Sequence, residues 1–253
     1  MKIAIIGAGA MGGAVAEGLL KSHVVKPSDV VVANPHDDKL KRFAEMGASI
    51  TTDNKAAAEG ADLVAIVVKP WLVEQVVREI KPVFNPRKQL LANMAASIKS
   101  SQIIEWMESK ELALFQIIPN IAIAERASMT LIVPVGASAG QTHAVKEVFD
   151  DLGETLITDE AHLGAGTTLA SCGIAYAMRY VRAASEGGVE LGFKADLAKD
   201  IVLQTLKGAV ALLQANGNHP EAEIDKVTTP GGLTIRGLNE MEHAGFTSQS
   251  SAA

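Results

Sequence analysis

The N-terminal part of the chain alternates short apolar segments with segments of helical spacing. The apolar segments predict strands, which in chain order are Ile3–Ile6, Val30–Ala33, Leu63–Val68, Leu90–Met94, Leu114–Ile118 and Thr130–Val133. Most are apolar on both faces, which is typical of a parallel sheet covered by helices. Between the first two, Met11, Val15 and Leu19 recur every four residues and mark the apolar face of a helix. Such alternating units predict a doubly wound α/β fold.

The pattern changes at about Asp159, where strand-like alternation ends. Residues 162–193 are rich in alanine, and residues 197–217 show helical spacing that ends in a glycine. We therefore predict an α/β domain over residues 1–158 and an all-helical domain over residues 159–253. The segment Ala161–Gly192 has small residues on several faces, and its apolar side chains lack local partners. This composition predicts close association of two copies of the helical domain.

Composition and charge argue against several classes of partner. A chain of 253 residues, 48% hydrophobic and with a mean hydropathy of +0.19, can bury a core, so disorder is not expected. The net charge is −6 without a basic tail or stripe, which argues against a nucleic-acid partner. The six histidines are scattered without metal-site spacing, so no metal is expected.

The expected compartment is the cytoplasm, and no membrane association is expected. The N-terminal apolar run imitates a signal peptide, but four glycines interrupt it before Glu17. No other stretch is long enough to span a bilayer. The single cysteine, Cys172, excludes an intrachain disulfide, which suits a reducing environment.

A glycine-rich segment follows the first predicted strand directly and opens the first predicted helix. It matches G-x-G-x-x-G with Gly7, Ala8, Gly9, Ala10, Met11 and Gly12. In this context the glycines allow a tight turn, close approach of the backbone to a pyrophosphate, and close packing of helix on strand. N–H groups at the helix start then face the phosphates. We therefore interpret residues 1–158 as a Rossmann-type dinucleotide-binding domain; the alternative is a glycine-rich turn that binds nothing.

The end of the second strand indicates which dinucleotide is bound. An Asp or Glu at this place holds the ribose 2′-hydroxyl of NAD, but this chain has Asn34. Asp37 and Asp38 follow three and four residues later, and the nearby cations are His36, Lys39, Lys41 and Arg42. A missing acid beside several cations favours a 2′-phosphate, so we predict NADP as the cofactor, with NADPH preferred over NADH. The alternative is that these charges form the solvated face of a helix.

A second unusual segment, Thr228-Thr229-Pro230-Gly231-Gly232-Leu233-Thr234, interrupts the helical region. Helical spacing resumes directly after it. Successive free N–H groups ahead of a helix N-terminus form a candidate anion site, and the threonines add hydroxyl groups. The segment therefore suits a small carboxylate. An ordinary interhelical turn with threonine caps is the alternative.

Together, the segments IGAGAMG, VVKP and KVTTPGGLTIRGL resemble pyrroline-5-carboxylate reductases, and the resemblance extends over nearly the whole chain. It implies a Rossmann domain followed by an all-helical dimerisation domain. It also implies NAD(P)H-dependent reduction of a cyclic imino acid to L-proline, the last step of proline biosynthesis. The protein would be a homodimer through its helical domain, or a higher oligomer of such dimers.

The same resemblance assigns roles to individual residues. The cofactor is assigned to the glycine-rich segment and to Asn34, Pro35, His36, Asn54, Val68, Lys69, Pro70, Met94 and Ala96, the last two beside the nicotinamide. The substrate is assigned to Lys226, Thr228, Thr229, Gly231, Gly232, Leu233 and Thr234. Thr234 is assigned to the ring nitrogen as a catalytic residue. Glu160 is a second catalytic candidate, for the amine or a water, and its alternative is a surface acid near a helix start.

Three segments depart from the family pattern. Ile118–Ala122 stands where the family has Met-Pro-Asn-Thr-Pro, Ala170–Tyr176 departs from Ser-Gly-Ser-Gly-Pro-Ala-Tyr, and Ser97 replaces a glycine. Two other functions therefore stay open. One is another NADP-dependent dehydrogenase acting on a small hydroxy acid, which needs a side-chain base such as Lys226. The other is a nucleotide-binding regulator that has lost catalysis.

Overall fold

The computed structural model describes residues 1–251, with side chains to residue 248, and confirms an α/β fold followed by a helical C-terminal part. Within that range one eight-stranded sheet has the order β3-β2-β1-β4-β5-β6-β7-β8. The strands are β1 (Ile3–Ile6), β2 (Val30–Ala33), β3 (Ser49–Thr51), β4 (Leu63–Ile66), β5 (Leu90–Asn93), β6 (Ala113–Ile118), β7 (Ser128–Val135) and β8 (Gly153–Ile157). All six predicted strands are present.

The sheet changes direction once. Strands β1 to β6 are parallel, β7 is antiparallel to β6, and β8 is parallel to β7. The reversal follows from the short link between β6 and β7, which contains the five-residue 3-10 helix Ile121–Glu125. A parallel crossover needs about a dozen residues or more. The sequence pattern did not reveal β3 and β8, because these edge strands are largely exposed and lack an apolar run.

Twelve α-helices accompany the sheet in the part of the chain that the structure describes. They are α1 (Ala10–Leu20), α2 (Lys41–Glu45), α3 (Asn54–Ala58), α4 (Val73–Ile80), α5 (Ser100–Met107), α6 (Ala139–Asp150), α7 (Leu163–Gly166), α8 (Gly173–Glu190), α9 (Ala195–Asn216), α10 (Pro220–Lys226), α11 (Leu233–His243) and α12 (Phe246–Ser251). A π-helical segment, Thr167–Cys172, joins α7 to α8. None of the helices within residues 1–251 is both long and apolar enough to cross a bilayer.

Hydrophobic clusters cover both faces of the sheet, which explains why the strands are apolar on both sides. On one face Ile5 lies in a buried cluster with Val15 and Leu19 of α1, so the predicted apolar face of this helix is confirmed. On the other face Ile6 lies in a buried cluster with Val77 of α4. Full burial of such a side chain contributes about 1.5–3 kcal/mol, so the two layers hold the sheet firmly.

The chain divides into two compact units, Met1–Ile174 and Ala175–Ala253. The last strand ends at Ile157, and every described element after it is helical. The secondary structure therefore changes at the predicted boundary near Thr158, while residues 159–174 belong to the first compact unit. The division into domains of 1–158 and 159–253 stays a prediction.

The second compact unit contains almost no fully buried side chain. Ala198 is the one buried side chain among residues 175–248. It lies where α8 approaches α9, since a Cβ on Gly188 would be 2.9 Å from the Ala198 Cβ. The large exposed apolar side chains of this unit are Tyr176, Met178, Tyr180, Val189, Leu191, Phe193, Leu197, Ile201, Leu203, Val210, Leu212, Val227, Leu233 and Phe246.

Candidate functional site

The carboxyl ends of the parallel strands lie at one edge of the sheet. Strands β3, β2, β1, β4 and β5 are neighbours in that order, and in such sheets ligands bind in the crevice at this edge. The residues predicted to bind the cofactor follow these strands: Gly7–Gly12 after β1, Asn34–His36 after β2, Asn54 after β3, Val68–Pro70 after β4, and Met94 and Ala96 after β5. The structure thus brings all these segments to one edge.

The glycine-rich segment has the shape of a phosphate-binding loop. Gly7 has φ +107°, and a Cβ there would meet the Val67 carbonyl. A Cβ on Gly12 would meet the carbonyl of Gly7, so the first turn of α1 packs directly on the loop. Gly9 differs, because apart from its own neighbours in the chain no described atom lies within 4 Å of a Cβ built there. The loop is therefore tightly packed at Gly7 and Gly12 and open at Gly9, which leaves room for a phosphate beside the start of α1.

The start of α1 is also free of a side-chain cap. The N-cap position is occupied by Gly9, with φ −72°, which has no side chain to cap the first N–H groups of the helix. Helix N-termini carry partial positive charge and orphan N–H donors. The residues present therefore fit the pyrophosphate of a dinucleotide.

Asn34 joins the end of β2 to this loop. Its Oδ1 accepts a hydrogen bond from the Ala8 N–H at 3.2 Å, and its Nδ2 donates to the His36 carbonyl at 3.2 Å. The side chain is buried, whereas Pro35 and His36 are exposed. Asn34 therefore orients the phosphate loop and the exit of β2 at the same time.

The predicted cations differ in their surroundings. Arg42 forms an ion pair with Glu17 of α1 at 2.6 Å and lies over the Phe43 ring, 4.5 Å from its centroid. Its guanidinium also packs against Gly13, next to the glycine-rich segment. Lys39 is exposed beside His36. Arg42 is therefore held against the first turns of α1. His36 and Lys39, which follow the end of β2, are instead exposed to solvent.

The segments after β3 and β4 complete the crevice wall. The Val68 side chain lies beside Gly7, where a Cβ would be 2.9 Å from Val68 Cγ1. Lys69 is exposed and precedes the 3-10 helix Pro70–Leu72. Asn54 begins α3, and its Nδ2 donates to Glu79 Oε2 of α4 at 2.9 Å. The Asn54 amide thus links two helices in this structure.

A cavity of about 580 Å³ lies at the carboxyl ends of β5 and β6. Its lining includes Ala96, Ser97, Lys99, Gln116, Glu160 and Thr167. Two residues predicted for the reaction centre, Ala96 and Glu160, therefore line one cavity. Glu160 Oε1 accepts a hydrogen bond from the Ser100 N–H at 2.8 Å, so this carboxylate stabilises the N-terminus of α5.

Sequence reasoning missed a pair of buried amides beneath this cavity. Asn93 ends β5 and Gln116 lies within β6, and their side chains bond to each other and to the segment 95–100. The available signal was a single polar residue in each of two apolar strands, LLAN and ALFQII. A buried amide requires hydrogen-bond partners, so each one indicates a local network.

The segment predicted to bind the substrate belongs to the second compact unit. Gly231 has φ +70°, and the Gly232 N–H donates to the Thr229 carbonyl at 3.0 Å, which forms a tight turn. Gly232 is the N-cap of α11, where no described side chain provides a cap hydrogen bond. Thr234 is the second residue of that helix and is exposed. A threonine cap, the structural alternative, is therefore not what begins α11.

Two neighbouring residues are engaged in structural contacts. Lys226 Nζ donates to Glu223 Oε1 at 2.7 Å, and Thr228 Oγ1 donates to the Ile224 carbonyl at 2.7 Å. Glu223 also accepts from Asn216 and Asn218, so it joins the end of α9 to α10. Lys226 is thus tied to this cluster, which disfavours its use as a free base.

Two family models match the chain. One is described as pyrroline-5-carboxylate reductase dimerisation and matches residues 160–253; the other, described as NADP oxidoreductase coenzyme F420-dependent, matches residues 2–96. Pyrroline-5-carboxylate reductase 1 of Dictyostelium discoideum is 34% identical over 97% of this chain, which spans 46% of that relative. Pyrroline-5-carboxylate reductase of Pisum sativum is 32% identical, over 96% of this chain and 89% of the relative.

A solved structure agrees with this relationship at the level of the fold. Pyrroline carboxylate reductase of Plasmodium falciparum, determined with NADP bound, has a TM-score of 0.89 and 23% identity, covering 98% of this chain and 92% of that one. The similarity extends through both the α/β and the helical part. From its sequence relatives and its fold, the chain belongs to the pyrroline-5-carboxylate reductase family.

Proposed function

We propose that this protein reduces pyrroline-5-carboxylate to L-proline with NADPH, the last step of proline biosynthesis. The observation that carries the proposal is the arrangement of the sheet edge. The open phosphate loop at Gly9 and the cavity of about 580 Å³ lie at the carboxyl ends of the same sheet. A dinucleotide seated on the loop would extend toward a cavity large enough for a small cyclic acid.

The helical part would supply the substrate contacts. When bound, the nicotinamide supplies the hydride that reduces the C=N bond. We assign the substrate carboxylate to the N–H groups of Thr229 and Gly231 and to the uncapped start of α11, since the Gly232 N–H already donates to the Thr229 carbonyl. The Thr234 hydroxyl would form a hydrogen bond with the ring nitrogen. A cationic iminium accepts a hydride without a strong general acid, so positioning is the main task of these groups.

Glu160 has a narrower role in this proposal. One of its carboxylate oxygens accepts the Ser100 N–H, and the residue lines the cavity. A carboxylate held in this way can orient the product amine or a water with its second oxygen. Its contact with α5 also makes it a structural residue, so its substitution is a poor single test of catalysis.

We assign NADPH as the preferred cofactor. The absence of an acid at the end of β2 and the cations after it support this assignment. NADP is also bound in the related Plasmodium enzyme. Arg42 and Lys39 are the first candidates to contact a 2′-phosphate, and Arg42 would have to exchange its ion pair with Glu17 for that contact.

We also propose a homodimer formed through the helical part. The second compact unit exposes large apolar side chains such as Leu203, Val210 and Leu212, and a single copy gives them little cover. An exposed apolar surface of this extent is typical of an interface. We propose a cytoplasmic location as well, which the single cysteine supports because a reducing compartment needs no disulfides.

The proposal is tested by an assay with racemic pyrroline-5-carboxylate and either NADPH or NADH. We expect substrate-dependent oxidation of NADPH with formation of L-proline. Cofactor binding without turnover would support the regulatory alternative. Turnover of a small hydroxy acid, with no reduction of the imine, would support the dehydrogenase alternative.

A further inference from the structure

Asn93 and Gln116 form a buried amide pair across two adjacent strands. They are register partners on β5 and β6, and their exposed fractions are 0% and 2%. Asn93 Nδ2 donates to Gln116 Oε1 at 2.7 Å. The other strand residues beside them are apolar, so the fold itself does not require polar side chains here. Buried polar side chains need hydrogen-bond partners, so the partners of these two amides indicate which part of the structure they stabilise.

The pair holds the loop that rims the cavity. Asn93 bonds to both the N–H and the carbonyl of Ala95, at 3.2 and 2.9 Å. Gln116 Nε2 donates to the Ile98 carbonyl at 3.0 Å and to Ser100 Oγ at 3.1 Å. All four amide hydrogens of the pair are used, one between the two side chains and three on the segment 95–100.

The loop between these anchors has a constrained conformation. Ala96 and Ser97 lie between the bonded Ala95 and Ile98 carbonyls, and both are exposed at the cavity. Ser97 has φ +66°, a region that side-chain-bearing residues adopt only when their surroundings hold them there. Glu160 adds a third anchor, through the Ser100 N–H. The loop is thus fixed from below and at its far end, with its two free residues facing the cavity.

The sheet order indicates which part of a dinucleotide lies over this loop. The order β3-β2-β1-β4-β5-β6 is that of a dinucleotide-binding sheet, whose crevice opens between β1 and β4. The residue after β2 faces the adenosine ribose, so the second nucleotide lies toward β4 and β5. The loop after β5 is therefore on the nicotinamide side of the crevice.

We propose that Asn93 and Gln116 are positioning residues that set the nicotinamide ring for hydride transfer by fixing the loop 95–98. This proposal rests on the proposed reductase function. Asn93 acts through the backbone of Ala95. Gln116, which also lines the cavity, acts through the Ile98 carbonyl and Ser100 Oγ. Removal of the two amides should therefore change the rate of the chemical step more than cofactor affinity.

The test compares Asn93→Leu, Gln116→Leu and the double variant with a matched control, Gln89→Leu. Gln89 is also a buried glutamine that donates to two backbone carbonyls, those of Ala58 and Ala61 at 2.8 and 2.7 Å. It precedes β5 at the amino end of the strand, away from the cavity. Each protein is measured for melting temperature, NADPH affinity, kcat, the isotope effect with 4-deuterated NADPH, and the emission lifetime of bound NADPH.

The double variant is the decisive one. Replacing both residues removes the unpaired amide that each single variant leaves in the core, so the loss of melting temperature should be smaller than the sum of the two single losses. We expect its kcat to stay about ten- to a hundredfold below wild type, with NADPH affinity within about threefold and a larger isotope effect. Gln89→Leu should lower the melting temperature and leave kcat, isotope effect and lifetime at wild-type values.

A double variant with wild-type kcat and lifetime would show that the pair is only structural, and so would loss of kcat in parallel with melting temperature across all variants. The lifetime needs no substrate, so it decides the positioning role separately. If wild type binds NADPH but does not reduce pyrroline-5-carboxylate, the proposed function fails, and a changed lifetime in the double variant still supports positioning. If wild type does not bind NADPH, both proposals are wrong.

Discussion

The side chain of Asn34 accepts a hydrogen bond from the backbone N–H of Ala8, with 3.2 Å between Oδ1 and N. This bond joins the residue that stands in place of a ribose-binding acid to the phosphate-binding loop. The other end of the same amide donates to the His36 carbonyl. The geometry of the loop, and in our proposal the choice of cofactor, therefore depend on one buried side chain.

Asn34→Asp should shift cofactor preference toward NADH, but at a cost to both cofactors. A carboxylate favours a free 2′-hydroxyl and repels a 2′-phosphate. It also places a carboxylate oxygen against the His36 carbonyl, which should lower the free energy of unfolding by about 1–3 kcal/mol. We expect kcat/KM to fall about tenfold or more with NADPH and less with NADH.

Asn34→Ala is the matched control, because it removes the same hydrogen bonds without adding charge. It should lower kcat/KM for the two cofactors by similar factors. Steady-state kinetics and urea unfolding of both variants give the comparison. An unchanged NADPH/NADH ratio in Asn34→Asp would contradict the role of this position in cofactor choice.

Gly9→Ala and Gly12→Ala should separate binding from folding. Gly9 has an ordinary φ of −72° and open space around its Cβ, so Gly9→Ala should leave stability within about 1 kcal/mol of wild type. The added methyl group occupies the proposed phosphate position, so NADPH affinity should fall about tenfold or more. Gly12→Ala meets the Gly7 carbonyl and should destabilise by about 3 kcal/mol or more. Fluorescence titration and thermal melts measure both; normal NADPH affinity in Gly9→Ala would argue against this phosphate site.

Thr234→Ala should lower kcat/KM by about ten- to several-hundredfold, the effect of losing a hydrogen bond of about 1.5–3 kcal/mol at the reacting ring. Because Gly232 is the N-cap of α11, the stability change should be below about 1 kcal/mol. Thr205→Ala, on the exposed side of α9, removes a structural threonine as a control and should leave turnover unchanged. A destabilised Thr234→Ala protein with near-normal kcat/KM would assign Thr234 a structural role.

Asp151 should make stability dependent on acid pH. Burial raises the pKa of its carboxyl, but hydrogen bonds from Ser22 and the His23 N–H, with the charge of Arg126, outweigh burial and leave the pKa below its ordinary value. Because the pKa is lower in the folded state, the ionised carboxylate stabilises the fold at pH values above its unfolded-state pKa of about 4. This stabilisation is lost as the pH falls through the folded-state pKa. Urea unfolding from pH 7 to pH 2 should show this loss. The slope should be flatter in Asp151→Asn, which should also be about 1–3 kcal/mol less stable at pH 7; an identical slope would exclude this carboxylate as a source.

The wild-type protein should be a dimer at working concentration. Its second compact unit buries one side chain among residues 175–248, so a lone copy leaves an apolar surface exposed. Light scattering should give twice the chain mass, and the melting temperature should rise with protein concentration. A monodisperse, fully active monomer would contradict the dimer proposal.

Local patterns in the sequence were sufficient for the fold class and for the tight turn of the glycine-rich loop. The strands are apolar on both faces because helices cover both sides of the sheet, and that environment leaves a direct mark on composition. The glycine-rich loop is equally local, since Gly7 and Gly12 contact each other within one turn. The edge strands β3 and β8 were not predicted, because an exposed strand needs no run of apolar residues.

Relations between distant residues were decided only in the tertiary structure. Asn93 and Gln116 are 23 positions apart. The sequence of neither strand indicates that the two amides bond to each other and to the loop 95–100. The same holds for Glu160, whose contact with Ser100 spans 60 positions and gives a predicted catalytic acid a structural contact. Hydrogen-bond partners of buried polar groups depend on strand register and crossover geometry. The sequence therefore indicated the kinds of groups in the cavity, while the packing of the sheet determined which of them meet.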